Sequence, residues 1–178
     1  MLSLYYSMNH ESIVLAGGCF WCIEAVFQRI DGVVSATSGY MGGHVVNPDY
    51  QSVCGGETGH AEVVKVVFYA DQISLSQILQ VFWLAHDPTT LNRQGADVGT
   101  QYRSAVFFDG PEQEQVIKES IDQLVASGKY KGPIVTQVVP LDVFYPAETY
   151  HENYYSLNPN QGYCAYVIQP KLDKLGLL

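Results

Sequence analysis

The chain has 178 residues, and its 18 acidic against 9 basic side chains give a formal net charge of -9 at pH 7. That length fits one domain with room for a core, and the diffuse negative charge disfavours nucleic acid and anionic lipid, which it would repel. The stretch from Met1 to Glu11 lacks the basic region and long apolar core of a secretory signal. No segment approaches the roughly 20 apolar residues of a membrane helix, so a soluble cytoplasmic protein with reduced cysteines is expected.

Residues 1–11 read as an N-terminal extension. Ser12 to Ala16 is a short apolar run broken by Gly17-Gly18, which predicts a buried strand and a tight turn. From Phe20 the period changes. Ile23, Phe27 and Ile30 recur at helical spacing, and the helix is expected to end near Asp31-Gly32. Val33 to Tyr40 reads as a second strand. His44 to Gly59, rich in Gly, Asn, Pro and Ser, carries no apolar period and predicts a long loop. Ala61 to Tyr69 is the clearest strand in the chain. Ser74 to His86 reads as a helix with Leu75, Ile78, Leu79 and Phe82 on one face, stopped by Pro88. The polar stretch Asp87 to Arg103 predicts a second long loop, Ser104 to Phe108 a strand, Pro111 to Gly128 an amphipathic helix and Ile134 to Pro140 another strand. Ala147 to Tyr155 suggests a short helix bearing aromatics, and residues 156–178, with their Asn, Pro and Gly, an irregular C-terminal tail. The order β-α-β-β-α-β-α-β predicts a single α/β domain: helices on a mixed sheet, as a two-layer sandwich with a ferredoxin-like core.

Cys19 stands where a strand turns into a helix, in Gly17-Gly18-Cys19-Phe20-Trp21-Cys22. A thiol there faces free backbone N–H groups and the positive end of the helix dipole, and both favour the reactive thiolate. Phe20 and Trp21 set two large apolar surfaces beside it, which suits a small apolar substrate group. The plainer reading is a small buried residue at a helix start. Cys22 lies one turn along, placed to resolve an oxidised Cys19, to share a metal or to pack. Cys54 has no evident role beyond structure.

Alternation in Ala61 to Tyr69 puts Glu62 with Val64, Val66 and Phe68. A carboxyl on the more apolar face of a strand is desolvated and keeps its proton to higher pH, as a general acid requires. Periodicity alone leaves open that Glu62, near the strand end, reaches water instead. The loop to Arg103 holds Asn92, Arg93, Gln94, Asp97, Thr100, Gln101 and Tyr102, and structureless loops of that length are often functional. His60 and His151 read as hydrogen-bonded residues before they read as ligands, and Tyr150, Tyr154 and Tyr155 as core.

Three motifs together resemble the peptide methionine sulfoxide reductase A family: Gly18-Cys19-Phe20-Trp21, Gly59-His60-Ala61-Glu62 and Gly99-Thr100-Gln101-Tyr102-Arg103-Ser104, over a span from about Gly17 to Lys171. The resemblance implies that Cys19 is the attacking thiolate and Glu62 the proton donor to the sulfoxide oxygen, assisted by the hydroxyls of Tyr50 and Tyr102. Asp97 matches a position that supports the site and the later disulfide chemistry, and Phe20 and Trp21 match a pocket for the substrate methyl group. Cys19 would become a sulfenic acid that a second thiol condenses with. Cys164, in a Gly-containing C-terminal tail like the family's recycling cysteine, is the expected partner, with Cys22 as its competitor. The implied enzyme is a cytoplasmic, monomeric protein-repair oxidoreductase of oxidative stress. It takes the S epimer of methionine sulfoxide, free or in peptides, uses thioredoxin as reductant, and needs no metal or organic cofactor.

Two other classes compete. A thioredoxin-like disulfide exchanger would use Cys19-x-x-Cys22 but leave Glu62 and Tyr102 without work. A metal-binding domain would recruit Cys19, Cys22, Cys54 and a histidine, although structural zinc sites usually present two close ligand pairs and the chain has one.

Overall fold

The computed structural model describes residues 9–178; of the N-terminal extension, residues 1–8 lie outside the described part. The apolar run after His10 forms β1 (His10–Gly17), so His10 and Glu11 belong to the first strand instead of preceding it. It is followed by α1 (Phe20–Phe27), β2 (Val33–Met41), α2 (Tyr50–Cys54), β3 (Ala61–Tyr69) and α3 (Leu75–Ala85). A small hairpin, β4 (Arg93–Gln94) with β5 (Asp97–Val98), precedes β6 (Ser104–Phe108), α4 (Gly110–Ala126), β7 (Gln137–Pro140) and β8 (Tyr145–Pro146). Two short helices, α5 (Tyr154–Leu157) and α6 (Gln169–Lys174), close the chain.

Six strands form one mixed sheet in the order β7-β6-β1-β3-β2-β8. β6 and β7 run parallel, and every other neighbouring pair is antiparallel. Strand alternation sorts the sheet into two faces. Ile13, Leu15, Val64, Val66, Phe68 and Val106 join the side chains of α1, α3 and α4 in the main core. Val14, Ala16, Met41, Ala61, Val63 and Phe107 form a smaller cluster on the other face, packed against Val139 and Phe144. Glu62 lies opposite Tyr40 of β2 in the register, and both side chains are buried.

Both predicted long loops contain structure. Within 44–59 the Asp49 carboxylate accepts from the Ser52 N–H at 2.8 Å while Ser52 Oγ accepts from the Asp49 N–H at 3.1 Å. This reciprocal cap starts α2. His60 then ties the loop down: its Nδ1 accepts from Gly43 N–H at 3.0 Å and its Nε2 lies 2.7 Å from the Val45 carbonyl. Within 87–103 the β4–β5 hairpin pairs Arg93 with Val98 and Gln94 with Asp97. The expected aromatic helix is instead a 3-10 turn, Thr149–His151, then α5 after Asn153 at φ 52°.

The C-terminal tail is not irregular. A wide π-helical turn, Cys164–Ile168, runs into α6. Cys164, Ile168 and Leu172, four residues apart, are completely buried in the main core, so an apolar stripe at helical spacing folds the segment against α1. Asn158, Pro159 and Gly162 mark only its start.

Candidate active site

Cys19 immediately precedes α1, and the chain reaches it through Gly18 at φ +93°. A side chain at Gly18 would also meet Gln94, whose Cγ lies 2.5 Å from the position of a Cβ. Gln94 cannot retreat easily, because its amide exchanges two 2.8 Å hydrogen bonds with the backbone of Asp87. Glycine is thus needed here for both conformation and space.

Glu62 comes from β3 to the same helix start. Its Oε2 accepts a hydrogen bond from the Phe20 N–H at 2.9 Å. The carboxyl is buried, with 2% exposure, and burial pushes its pKa up to about 8, opposed by that backbone bond and reinforced by the charges of Asp97 and Cys22. The face predicted from strand alternation is therefore the one the sheet buries, and Glu62 does not reach water.

The thiols of Cys19 and Cys22 line one cavity, close enough for each to act on the other's ionisation. Burial and the adjacent Cys22 push Cys19 up, while the neighbouring Cys19 thiol pulls Cys22 down to about 7, against its own burial and with help from the Lys171 charge. The first proton therefore leaves the pair near neutrality and the second only with difficulty. Cys22 is also 3.8 Å from the Tyr163 hydroxyl, which donates to Asp97 Oδ2 at 2.6 Å. Cys19, Cys22, Asp97, Tyr163 and Lys171 line one cavity of about 220 Å³.

Aromatic groups close the other side of Cys19. Phe20 is buried among Tyr40, Tyr50 and His151, at centroid distances of 5.7, 6.3 and 5.0 Å. Trp21 is partly exposed and stacked at 3.8 Å on Tyr154, and its Nε1–H donates to His151 Nδ1 at 3.0 Å. Phe20 is thus the floor and Trp21 the accessible wall. Tyr50, first residue of α2, stacks over both, and Tyr102 ends the 3-10 turn before β6. Burial raises both phenols above their ordinary range, and the Glu62 charge acts on each. Both therefore stay hydroxyl donors.

The structure brings together Cys19, Phe20, Trp21, Tyr50, Glu62, Asp97 and Tyr102. Cys164 is placed differently from the expectation: it is completely buried in the folded tail, and Cys22 is the thiol beside Cys19. Cys54 is exposed at the end of α2, on the same short helix as Tyr50. Among the described residues, no group of three or more His, Cys, Asp or Glu side chains converges as metal ligands would.

Glu148, Tyr163 and the His151 contact have no counterpart in the motifs. Glu148 accepts from Tyr40 Oη at 3.1 Å, the Tyr50 N–H at 3.2 Å and Tyr150 Oη at 3.0 Å, and lies 3.7 Å from His151 Nε2. It anchors the base of the aromatic wall. Only contact across about a hundred residues reveals such a role.

A thiol pair at a helix start, facing a buried carboxyl that holds its proton at neutral pH, is the apparatus of a thiol oxidoreductase whose reaction consumes a proton. The family model of peptide methionine sulfoxide reductase matches residues 11–176, and the chain belongs to that family. It is 58% identical to peptide methionine sulfoxide reductase MsrA of Deinococcus radiodurans, over 93% of this chain and 80% of that one. The MsrA of Trichodesmium erythraeum is 56% identical over 93% of each. Among solved structures, methionine sulfoxide reductase A of Corynebacterium diphtheriae superposes with a TM-score of 0.81 at 37% identity, covering 92% of this chain and 81% of that one. Reduced Mxr1 of Saccharomyces cerevisiae gives 0.83 at 34% identity, covering 90% and 92%.

Proposed function

We propose that this chain reduces the S epimer of methionine sulfoxide, free or in proteins, with Cys19 as nucleophile and Glu62 as proton donor. The observation that carries the reading is Glu62, a carboxyl with its pKa raised to about 8 and hydrogen-bonded to the N–H that follows Cys19. Trp21 over Phe20 offers the apolar wall for the substrate methyl group, and the hydroxyls of Tyr50 and Tyr102 are donors to the oxygen.

A proton shift within the pair puts the thiolate on Cys19, the more exposed residue at 9% against 2% for Cys22. The thiolate attacks the sulfoxide sulfur, oxygen passes to Cys19 as the S–O bond breaks, and Glu62 supplies the proton of the sulfenic acid. Methionine leaves with the electron pair. Cys22–SH then condenses with the sulfenic acid, forming the disulfide and releasing water. Cys22 is favoured as this first partner by its position beside Cys19, and Cys164, buried near Cys22, is held for a later exchange that needs its helix to open. Asp97 orients Tyr163 over this step.

A dithiol protein of the thioredoxin class returns the enzyme to its starting state; Mxr1 has been solved in complex with Trx2. The β1-α1-β2-β3-α3-β6 connectivity with strand order β6-β1-β3-β2 supports a two-layer, ferredoxin-like core. The chain acts as a monomer in the reducing cytoplasm, in protein repair.

Thioredoxin-supported reduction of the separated epimers of a blocked methionine sulfoxide tests this. Turnover of the S epimer alone, abolished in Cys19→Ser, is expected. Reduction of neither epimer by the wild type would overturn the reading.

A further inference from the structure

The chain's charge is distributed unevenly around its thiols. Of nine basic residues in a protein of net charge -9, three (Lys129, Lys171 and Lys174) line one cleft of about 690 Å³, with Asp87 its only carboxylate. Lys171 and Lys174 come from α6, and Lys129 from the segment after α4, so distant stretches of chain converge there. Among the described residues none of the three lysines has a carboxylate within ion-pair distance. The one carboxylate present is already engaged, accepting from the Thr89 N–H at 2.9 Å and the Thr89 hydroxyl at 2.6 Å.

This cleft adjoins the thiol cavity. Gln94 and Lys171 are walls of both, and the Lys171 charge acts on Cys22. It lies on the Cys22 side of the Cys19 turn, away from the Trp21 and Tyr50 wall where the substrate methyl is expected. Exposed apolar side chains also flank the two spaces: Leu84 lines the cleft and Val167 the cavity. Uncompensated lysines with apolar neighbours beside a reacting sulfur are what a charged protein surface would dock on.

We propose that the Lys129–Lys171–Lys174 cleft docks the protein reductant, a dithiol protein whose surface beside its redox cysteines is acidic. This rests on the reading that Cys19 and Cys22 form the disulfide. The docked dithiol's thiolate attacks Sγ of Cys22, the Cys19–Cys22 bond breaks, and Cys19 leaves as a thiolate. The reductant's second thiol then attacks its own sulfur in the mixed disulfide and expels Cys22 as a thiolate. The two electrons gained by the enzyme are those lost by the reductant, which departs as a disulfide. The lysines contribute no atom to this exchange. They raise the encounter rate and fix the approach.

The test compares thioredoxin with dithiothreitol, a dithiol without charge or docking surface, in the wild type and in Lys129→Glu/Lys174→Glu, which leaves the thiol cavity lining intact. We expect kcat/KM for thioredoxin to fall about tenfold or more in the variant, with dithiothreitol-supported turnover and the KM for methionine sulfoxide unchanged. In the wild type, salt should slow turnover with thioredoxin and not with dithiothreitol. Equal losses with both reductants, an unchanged thioredoxin kcat/KM, or an effect confined to the KM of peptide substrates would overturn the assignment. Absence of turnover with dithiothreitol in the wild type would instead fail the proposed function. Capture of a single-cysteine thioredoxin on the oxidised protein reads docking independently of sulfoxide reduction, and an equal yield in wild type and variant would also overturn it.

Discussion

Replacing Glu62 by Gln should slow the chemistry and let the fold gain stability on the wild type as pH rises, and both effects come from one displaced pKa. The amide keeps an oxygen to accept the Phe20 N–H but carries no transferable proton. Loss of a positioned general acid costs about 10²–10⁴ in rate, so methionine release in a single turnover should slow by that factor at neutral pH. The wild-type rate should fall as pH rises through about 8, where Glu62 loses its proton, and that alkaline limb should vanish in Glu62→Gln. The stability effect has the opposite sign. A carboxyl whose folded pKa lies above its unfolded value binds more protons in the native state, so its contribution is complete below pH 4.5 and is lost as pH rises towards about 8. Each pH unit in that window costs the native protein about 1.4 kcal/mol, which accumulates to about 3 kcal/mol by pH 7. The buried amide brings a pH-independent penalty of its own, about 1–3 kcal/mol for the unpaired N–H groups, so the diagnostic is the trend. Urea unfolding at several pH values should show the variant gaining about 3 kcal/mol on the wild type between low pH and pH 7. A flat difference, or an alkaline limb that survives in the variant, would refute the assignment of the raised pKa to Glu62.

Cys22→Ser should release about one equivalent of methionine per enzyme and stop when thioredoxin is the reductant, whereas Cys164→Ser should keep its first disulfide; thiol counting after one equivalent of sulfoxide distinguishes them. His151→Phe removes the acceptor of the Trp21 N–H, so the KM for sulfoxide should rise several-fold with little change in kcat. Trp21 fluorescence should shift to the red as the indole loosens, while Trp83 stays bound to Ser120, and His151→Gln should restore part of both. Gly18→Ala combines a φ of +93° with a collision against the pinned Gln94; a loss of about 1–3 kcal/mol is expected by denaturant midpoint.

What could be read in the sequence was local or periodic. The Gly-Gly-Cys turn and the alternation of β3 mark Cys19 and the face of Glu62 because each depends on neighbours within a few residues. Five-residue α2 is too short for an apolar period, and its Asp49/Ser52 cap departs from the Ser/Thr-to-Glu/Gln form of the capping box. The tail's stripe of Cys164, Ile168 and Leu172 is regular enough to read, but Asn158, Pro159 and Gly162 suggest disorder to any scan that weighs breakers above spacing. The preference between Cys22 and Cys164 as resolving thiol turns on whether that tail folds. Glu148 to Tyr50 and Trp21 to His151 are contacts across 98 and 130 residues, beyond what local pattern encodes.

The arrangement also explains why thiol and carboxyl are joined through one backbone N–H. Before reaction the Cys19–Cys22 pair carries a negative charge beside that of Asp97, and Glu62 is neutral; were Glu62 ionised, its charge would raise the Cys19 thiol further. In the proposed reaction, oxygen transfer neutralises Cys19 as a sulfenic acid in the same event that makes Glu62 a carboxylate. In that reaction the charge moves from sulfur to carboxyl without adding to the total negative charge of the buried site, where an uncompensated ion is costly. Phe20 N–H, at the positive end of α1, faces the carboxyl oxygen at 2.9 Å, so the helix start would stabilise the product anion. A further carboxylate on the other side of the pair would oppose this exchange by adding to the negative charge that Asp97 already contributes. Introducing one by Gln94→Glu, beside Gly18, should lower the fraction of reactive thiolate at pH 7 and slow alkylation of Cys19 by iodoacetamide. An unchanged alkylation rate would argue that Cys19 reactivity is set by the helix start alone.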